Sequence, residues 1–470
     1  MDEIITHETT MNETAVKELL ASVSGAIHQG SEGALIESVS TDTRNIGLGC
    51  AFFALKGERF DAHNFLGKAV EGGAEVLVVS RIPEGVDLGN TTVIKVEDTL
   101  TALQQFAAWY RRSLDIKVIG ITGSNGKTST KDFAKSVIGE KFNVSATVGN
   151  LNNHIGLPLS ILATEAEHEV CIWEMGMSNP GEIAPLCSIA HPDIGIITNI
   201  GTAHIEFMDS VDAIAEEKGE LAKCLPEYGT FIVSAACDYI DYFTTRTKAK
   251  TLIVGNGRGT VRAENLVMTA LGSEFDLIIQ DQEPIRVNLP VVGRHMVANA
   301  LLAAGAGYTL GMTANEIAAG LKKTSLTSGR LRAFESNGVT IFDDTYNANP
   351  ESVTAAIDTL SELSESGVEV GEKYVVLGHM AELGEHAKAA HEDVGKLAAR
   401  RGIYTVSVGE AAAGITAGVV AAGGRAKHFN QREEAAKWLQ STCSSGDVVL
   451  FKGSRSAGME EIMNQAFSKN

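Results

Sequence analysis

The chain has 470 residues, too many for one ordinary domain, so two to four folded units are expected. A hydrophobic content of 44% is ample for several cores, and a formal charge of −20 argues against broad nucleic-acid or anionic-membrane binding. Six scattered cysteines with no CxxC pair speak against a disulfide framework or a zinc site, the acidic start MDEIITHETTMNE does not read as a signal peptide, and no apolar run reaches the roughly 18 residues of a membrane span, so a soluble cytoplasmic protein is expected.

Residues 1–113 read as a small α/β unit. Helical spacing covers 14–29, SVSTDTR at 38–44 leads into a strand at 49–55, and 67–73 reads as a helix with its C-cap. Strands follow at 75–80 and 92–96, and a helix over 98–112 carries the chain onward. Ser40, Thr41, Asp42 and Arg44 gather hydroxyls, an acid and a base beside a strand. On residues alone this is a solvated turn.

Residues 114–327 open with KVIGITGSNGKTST at 117–130. A run rich in β-branched residues, Lys117–Thr122, reads as a buried parallel strand; glycines stand at 120, 123 and 126; and Lys127-Thr128 begins a helical segment reaching 140. Strand, glycine turn and Lys-Thr at a helix start form the layout of a phosphate-binding loop. Backbone N–H groups curl round an anion, the helix N-terminus and Lys127 add positive charge, and the Thr128 hydroxyl reaches a Mg²⁺. The commonest pattern has a glycine five residues before Gly126, where this chain has Ile121. The bland alternative, a glycine-rich turn with a surface lysine, does not explain why strand and helix stand where the mechanism needs them. A nucleoside triphosphate is the expected ligand. Further along, EVCIWEM at 169–175 and DIGIITNI at 193–200 read as strands that put Glu174 and His204 at carboxyl ends, where open parallel sheets gather ligands. Both are candidates to converge on a metal. Lys218 lies in a helix over 214–225 and reads as a solvated lysine. Short strands at 251–254, 261–268, 274–280 and 284–289 suggest hairpins added to the sheet. GRHMVAN at 293–299 starts a helix rich in small residues, and its polar opening either faces the nucleotide or caps a buried helix.

Residues 328–470 begin at GRLR, 329–332, and alternate plainly: strands at 340–344, 373–378, 404–409 and 447–453, with helices at 352–363, 386–400 and 459–467. This is a doubly wound α/β pattern. Polar groups stand at three strand ends: DDTYN at 343–347, HMAE at 379–382 and KGSR at 452–455.

Taken together, the motifs TGSNGKTST at 122–130, NLNNHIGLPLS at 150–160, EMGMSNPGEI at 174–183, TNIGTAHIEF at 198–207, GRHMVANALLA at 293–303, GRLR at 329–332 and DDTYNANPES at 343–352 resemble the Mur ligases, ATP-dependent amide-bond enzymes of peptidoglycan precursor synthesis. The resemblance spans nearly the whole chain and implies three α/β domains. These are a small N-terminal UDP-substrate domain (1–113), a central P-loop ATPase-like parallel sheet with added antiparallel strands (114–327) and a C-terminal Rossmann-like domain (328–470). DDTYNANPES and LGHMAELGEHAKAAHEDVG at 377–395 point to the member that uses UDP-MurNAc-tripeptide and D-Ala-D-Ala, and the DNPR-type segment that reads diaminopimelate in a sister ligase is absent. Where the family often has glycine, an acid and Met, this chain has Gly378-His379-Met380, so no role is carried onto His379.

The resemblance further implies that Lys127 and the backbone of Gly123, Ser124, Asn125, Gly126, Thr128 and Ser129 hold ATP phosphates. Thr128, Glu174 and His204 would ligate Mg²⁺. Lys218 would match a lysine carried as a carbamate in several members, which reverses the solvated reading, and Lys127, His204 and Lys218 would be the catalytic set. Asn299 would contact adenine, with Arg330 and Asp344 reaching phosphates and ribose from the C-terminal side. Ser40, Thr41 and Arg44 resemble the uridine-diphosphate segment, and Asn347, Lys452 and Arg455 are substrate-binding candidates. A monomer is expected. The rivals are the tripeptide-forming Mur ligase, a folylpolyglutamate synthase, and an ATP-gated scaffold without ligase activity.

Overall fold

The computed structural model describes residues 9–269, 271–365 and 370–467. The first eight residues of the acidic start lie outside them. Among the described residues the strands form three sheets, and the chain is α/β throughout.

The first sheet has six strands. Leu35–Ser40, Cys50–Phe53, Ala74–Val79 and Thr92–Val96 run parallel in that order, flanked by antiparallel edges Thr9–Ala15 and Gly25–Gln29. The helix expected over 14–29 is therefore two elements, a short helix Val16–Ser22 and the strand Gly25–Gln29. Val16 and Leu19 supply one buried helical turn, but beyond Val23 the chain takes up backbone pairing with Thr92–Val96, placing Ile27 opposite Ile94. An open sheet edge outweighs local periodicity there.

The helix Thr99–Ser113 starts at Asp98, whose carboxylate accepts from Thr101 N at 2.6 Å, and it fastens the first sheet to the second. Tyr110 Oη donates to Thr164 O (2.6 Å) and Arg111 Nε to Ala190 O (2.9 Å).

The second sheet has nine strands. Val144–Ala146, Val170–Glu174, Lys117–Thr122, Ile194–Ile197, Thr230–Ser234 and Lys250–Asn256 lie parallel, and Val261–Met268, Ser273–Ile279 and Ile285–Leu289 extend it as an antiparallel meander. The added hairpins are present, with one difference. Lys250–Asn256 pairs parallel with Val261–Met268, over a short register from Val254 opposite Val261 to Asn256 opposite Ala263. Lys117–Thr122 lies between Val170–Glu174 and Ile194–Ile197, so the three strand ends that carry polar residues are neighbours. The helix Arg294–Thr309 is buried along nearly its whole length and shares one core with the helix Lys127–Ile138. A helix apolar all round belongs in an interior, which explains its run of small residues.

The third sheet orders Arg332–Ser336, Val339–Asp344, Val448–Lys452, Lys373–Leu377, Tyr404–Val408 and Ala426–Phe429, parallel except for the first strand. The edge strands Arg332–Ser336 and Ala426–Phe429 and the helix Arg432–Thr442 carry no signal strong enough to be read from sequence. Within AAAGITAGVVAAGG at 411–424, small and apolar, lies the helix Ala413–Ala421.

Candidate active site

The loop after Lys117–Thr122 depends on glycine at two positions. Gly123 has φ +148° and a methyl there would stand 1.8 Å from Thr198 Oγ1; Gly126 has φ +80° and its methyl would meet Asn299 Oδ1 at 2.7 Å. The second contact brings Asn299, a buried residue of Arg294–Thr309, against the loop. Lys127 opens the helix Lys127–Ile138 and its Nζ donates to Gly123 O at 2.6 Å. Burial pulls its pKa from 10.5 to about 8, with Glu174 opposing the fall and Arg330 adding to it.

Thr128 Oγ1 donates to Glu174 Oε2 (3.1 Å) and accepts from Arg330 Nη2 (3.3 Å). The other carboxylate oxygen, Glu174 Oε1, is buried without a hydrogen-bond partner, 3.9 Å from Lys131 Nζ. A hydroxyl beside an unpartnered buried carboxylate oxygen suits an oxygen-favouring cation such as Mg²⁺. Among the described residues no three His, Cys, Asp or Glu side chains cluster to hold a metal by themselves. His204, in a left-handed conformation (φ +66°), places Nδ1 2.6 Å from Glu382 Oε2, and the imidazole holds the Glu382 carboxyl below the usual range.

Loop 198–204 is stitched to the phosphate loop. Asn125 N donates to Asn199 Oδ1 (2.8 Å), Ser124 N to Asn199 O (3.0 Å), and Ser124 Oγ exchanges hydrogen bonds with Gly201 O (3.1 Å) and Gly201 N (2.9 Å).

Lys218 corrects the solvated reading: it is 1% exposed. Desolvation drives its pKa well below the ordinary lysine value, Lys127 pushes the same way, and Glu217 opposes. Glu217 spends its carboxylate on Gly181 N and Ile183 N, both at 2.7 Å. Burial of this kind disfavours the ammonium form, and helical spacing alone does not tell an inward lysine from an outward one.

Ser124, Asn125, Gly126, Lys127, Thr128, Ser129, Glu174, His204, Asn299, Arg330, Asp344, Asn347, Lys452 and Arg455 all line one cavity of about 940 Å³. Gly123 and Lys218 are not among its lining residues. The guanidinium of Arg330 stacks on the Tyr346 ring at 3.9 Å. Lys452 is buried, and its Nζ donates to Asp344 Oδ2 (2.7 Å) and Asn347 O (2.9 Å). Those two charges therefore hold each other at the end of adjacent strands. Arg455 pairs with Glu460 at 2.9 Å. Ser40, Thr41 and Arg44 do not line this cavity. Ser40 Oγ accepts from Asp42 N (3.1 Å), and the exposed Arg44 Nε donates to Asp42 Oδ1 (2.9 Å).

The sequence reading missed several cavity residues: Asn152, Asn199, His295, Asn349 and Glu351. Burial lowers the His295 pKa to about 4, with Asp344 opposing and Lys452 adding to the fall. Asn349 and Glu351 stand inside DDTYNANPES, and Glu382 inside the strand-end group HMAE, so the signal for each was position within a motif.

Residues 121–307 match the Mur ligase middle domain, and residues 329–455 match the Mur ligase, glutamate ligase domain. The chain is 37% identical over 440 residues to the UDP-N-acetylmuramoyl-tripeptide–D-alanyl-D-alanine ligase of Escherichia coli K12, covering 91% of this chain and 93% of that one. Its structure is similar to that of MurF from Acinetobacter baumannii, with a TM-score of 0.89, 32% identity, and coverage of 98% of this chain and 100% of that one. It is similar also to the MurF ligase of Thermotoga maritima in complex with ADP, with a TM-score of 0.80, 29% identity, and coverage of 91% and 96%.

Proposed function

This chain belongs to the Mur ligase family, and we propose that it is the ATP-dependent ligase that joins D-Ala-D-Ala to UDP-MurNAc-tripeptide in peptidoglycan precursor synthesis. The observation that carries the reading is the convergence of the phosphate loop, Glu174 and His204 with Arg330, just ahead of the third sheet, and Asp344 within it on one cavity.

In this reading residues 1–113 hold the UDP end through Ser40, Thr41 and Arg44, residues 114–327 hold ATP, and residues 328–470 complete the site. A carboxylate is a poor acyl donor, so the γ-phosphoryl group first passes to the tripeptide carboxylate, giving an acyl phosphate and ADP. The free amine of D-Ala-D-Ala then attacks, a tetrahedral intermediate forms, and phosphate leaves with the C–O bond pair. Both steps crowd negative charge together. Lys127 meets the β- and γ-phosphates, and an anion beside it raises its depressed pKa, so nucleotide binding secures the ammonium form. Arg330, held flat on Tyr346, brings a second cation to the same phosphates. Asn299 stands for adenine and Asp344 for ribose, with Asn347, Lys452 and Arg455 toward the peptide substrates. Thr128, the free oxygen of Glu174 and His204 would hold Mg²⁺, which supplies neutralisation of phosphate charge when bound. Lys218, whose burial disfavours the ammonium form, would take up CO₂ as a carbamate, forming the N–C bond, releasing a proton to solvent and becoming an anion.

We take the protein as a cytoplasmic monomer; among the described residues no helix is long and apolar enough to cross a membrane. Isotope transfer tests the chemistry. With ¹⁸O in the terminal carboxylate of the tripeptide, one labelled oxygen should emerge in the released phosphate. Phosphate free of label would rule out the acyl phosphate.

A further inference from the structure

Two residues at the head of the helix Pro350–Glu365 reach out of the third-sheet unit onto the nucleotide loops. Glu351 accepts from Thr202 N at Oε1 (2.9 Å) and from Thr202 Oγ1 at Oε2 (3.0 Å), so both carboxylate oxygens are spent on one residue of the central unit. The approach is close: a methyl on Gly201 would stand 3.1 Å from Glu351 Cδ. Asn349 grips a second point. Its Nδ2 donates to Asn125 Oδ1 at 2.8 Å, while its Oδ1 accepts from Ser352 N at 2.9 Å and its own N–H donates to Ser352 Oγ at 3.0 Å. One end of that amide thus caps the helix and the other holds the phosphate loop, which fixes its orientation.

We infer that Glu351, seconded by Asn349, is the positioning residue that latches the third-sheet unit onto the phosphate loop. Thr202 follows Gly201, which exchanges two hydrogen bonds with Ser124 Oγ, and Ser124 is next to Asn125. The two grips therefore pull on one stitched pair of loops from both sides. The latch sets where Arg330 and Asp344 stand over the loop, since they arrive on the same unit. Asn125 Nδ2 is buried and unpartnered at the cavity wall, so a phosphate oxygen there would orient the amide whose Oδ1 takes the Asn349 hydrogen bond. Nucleotide and latch then favour each other. The purpose of the latch rests on the ATP-site reading above; its geometry does not.

The test is a distance. One dye on the central unit and one on the third-sheet unit report the docked fraction by energy transfer in the full chain, with and without ADP, the melting temperature being followed alongside. Glu351→Ala should lower the ratio of docked to undocked protein by roughly tenfold or more, since hydrogen bonds to a charged acceptor are lost. Glu351→Gln keeps an oxygen for Thr202 N and an amide able to donate to Thr202 Oγ1, and should restore docking to within about threefold of the parent. Thr202→Val should lose roughly three- to tenfold, and adding it to Glu351→Ala should change little further. ADP should raise the docked fraction less in Asn349→Ala than in the parent. An unchanged distance in Glu351→Ala, a Gln variant as open as the Ala variant, or fully additive losses in the double variant would overturn the latch. Each of those results leaves the ligation reading standing.

Discussion

Lys127 should make the protein less stable than it needs to be. With its folded pKa near 8 against an ordinary 10.5, the ammonium in this site costs the fold roughly 3 kcal/mol. Lys127→Met removes that cost and loses the hydrogen bond to Gly123 O, worth about 1 kcal/mol, which leaves a net gain of about 2 kcal/mol at neutral pH. Because the folded pKa is the lower one, the cost is fully present below pH 8, shrinks as pH climbs toward 10.5, and is gone above it. For a unit of about 200 residues the gain corresponds to a melting temperature roughly 4–8 °C higher. Calorimetry of both proteins without nucleotide, from pH 7 to pH 10, reads the difference directly. The variant should melt higher at pH 7, the gap should close as pH rises, and ADP should stabilise the parent alone. A variant no more stable at pH 7, or an advantage constant to pH 10, would refute the claim that this lysine is held against its solvation.

Other substitutions probe other parts of the site. By the same linkage Lys218→Met should raise stability at neutral pH, whereas Lys218→Arg, which cannot shed its charge in that buried place, should lower it by about 3–5 kcal/mol, both read by urea denaturation. Both should be inactive. Gly123→Ala sets a methyl against Thr198 Oγ1 on a backbone of φ +148°, and titration calorimetry should show ADP affinity down by roughly tenfold or more. Arg330→Ala should keep the fold by circular dichroism and lose at least about a hundredfold in kcat, as one cation facing the transferred phosphoryl group disappears.

What could be read in the sequence was what is local. Strand, glycine turn and helix in 117–130 are adjacent in the chain, so the phosphate loop needed no tertiary knowledge. The alternation of 340–453 gave the doubly wound unit for the same reason. Burial was harder. Lys218 and Lys223 lie in the same helix, yet one is enclosed and the other pairs with Glu220 at the surface, and only packing against neighbouring elements decides between them. Residues 25–29 joined a sheet edge because Thr92–Val96 offered one, information that lies some seventy residues away. The contacts of Glu351 with Thr202 and of Glu382 with His204 cross between units, and no periodicity in either segment announces them. The Lys452–Asp344 pair arises where two parallel strands end side by side, so two residues read as separate ligands turn out to hold each other.

The measurement that bears most directly on the central claim is phosphate release from ATP, Mg²⁺ and UDP-MurNAc-tripeptide, with and without D-Ala-D-Ala, with product masses determined. Release that requires the dipeptide, together with the mass of the UDP-MurNAc-pentapeptide, is the predicted result. Release with UDP-MurNAc-dipeptide and a diamino acid instead, or no amine-dependent release at all, would contradict it.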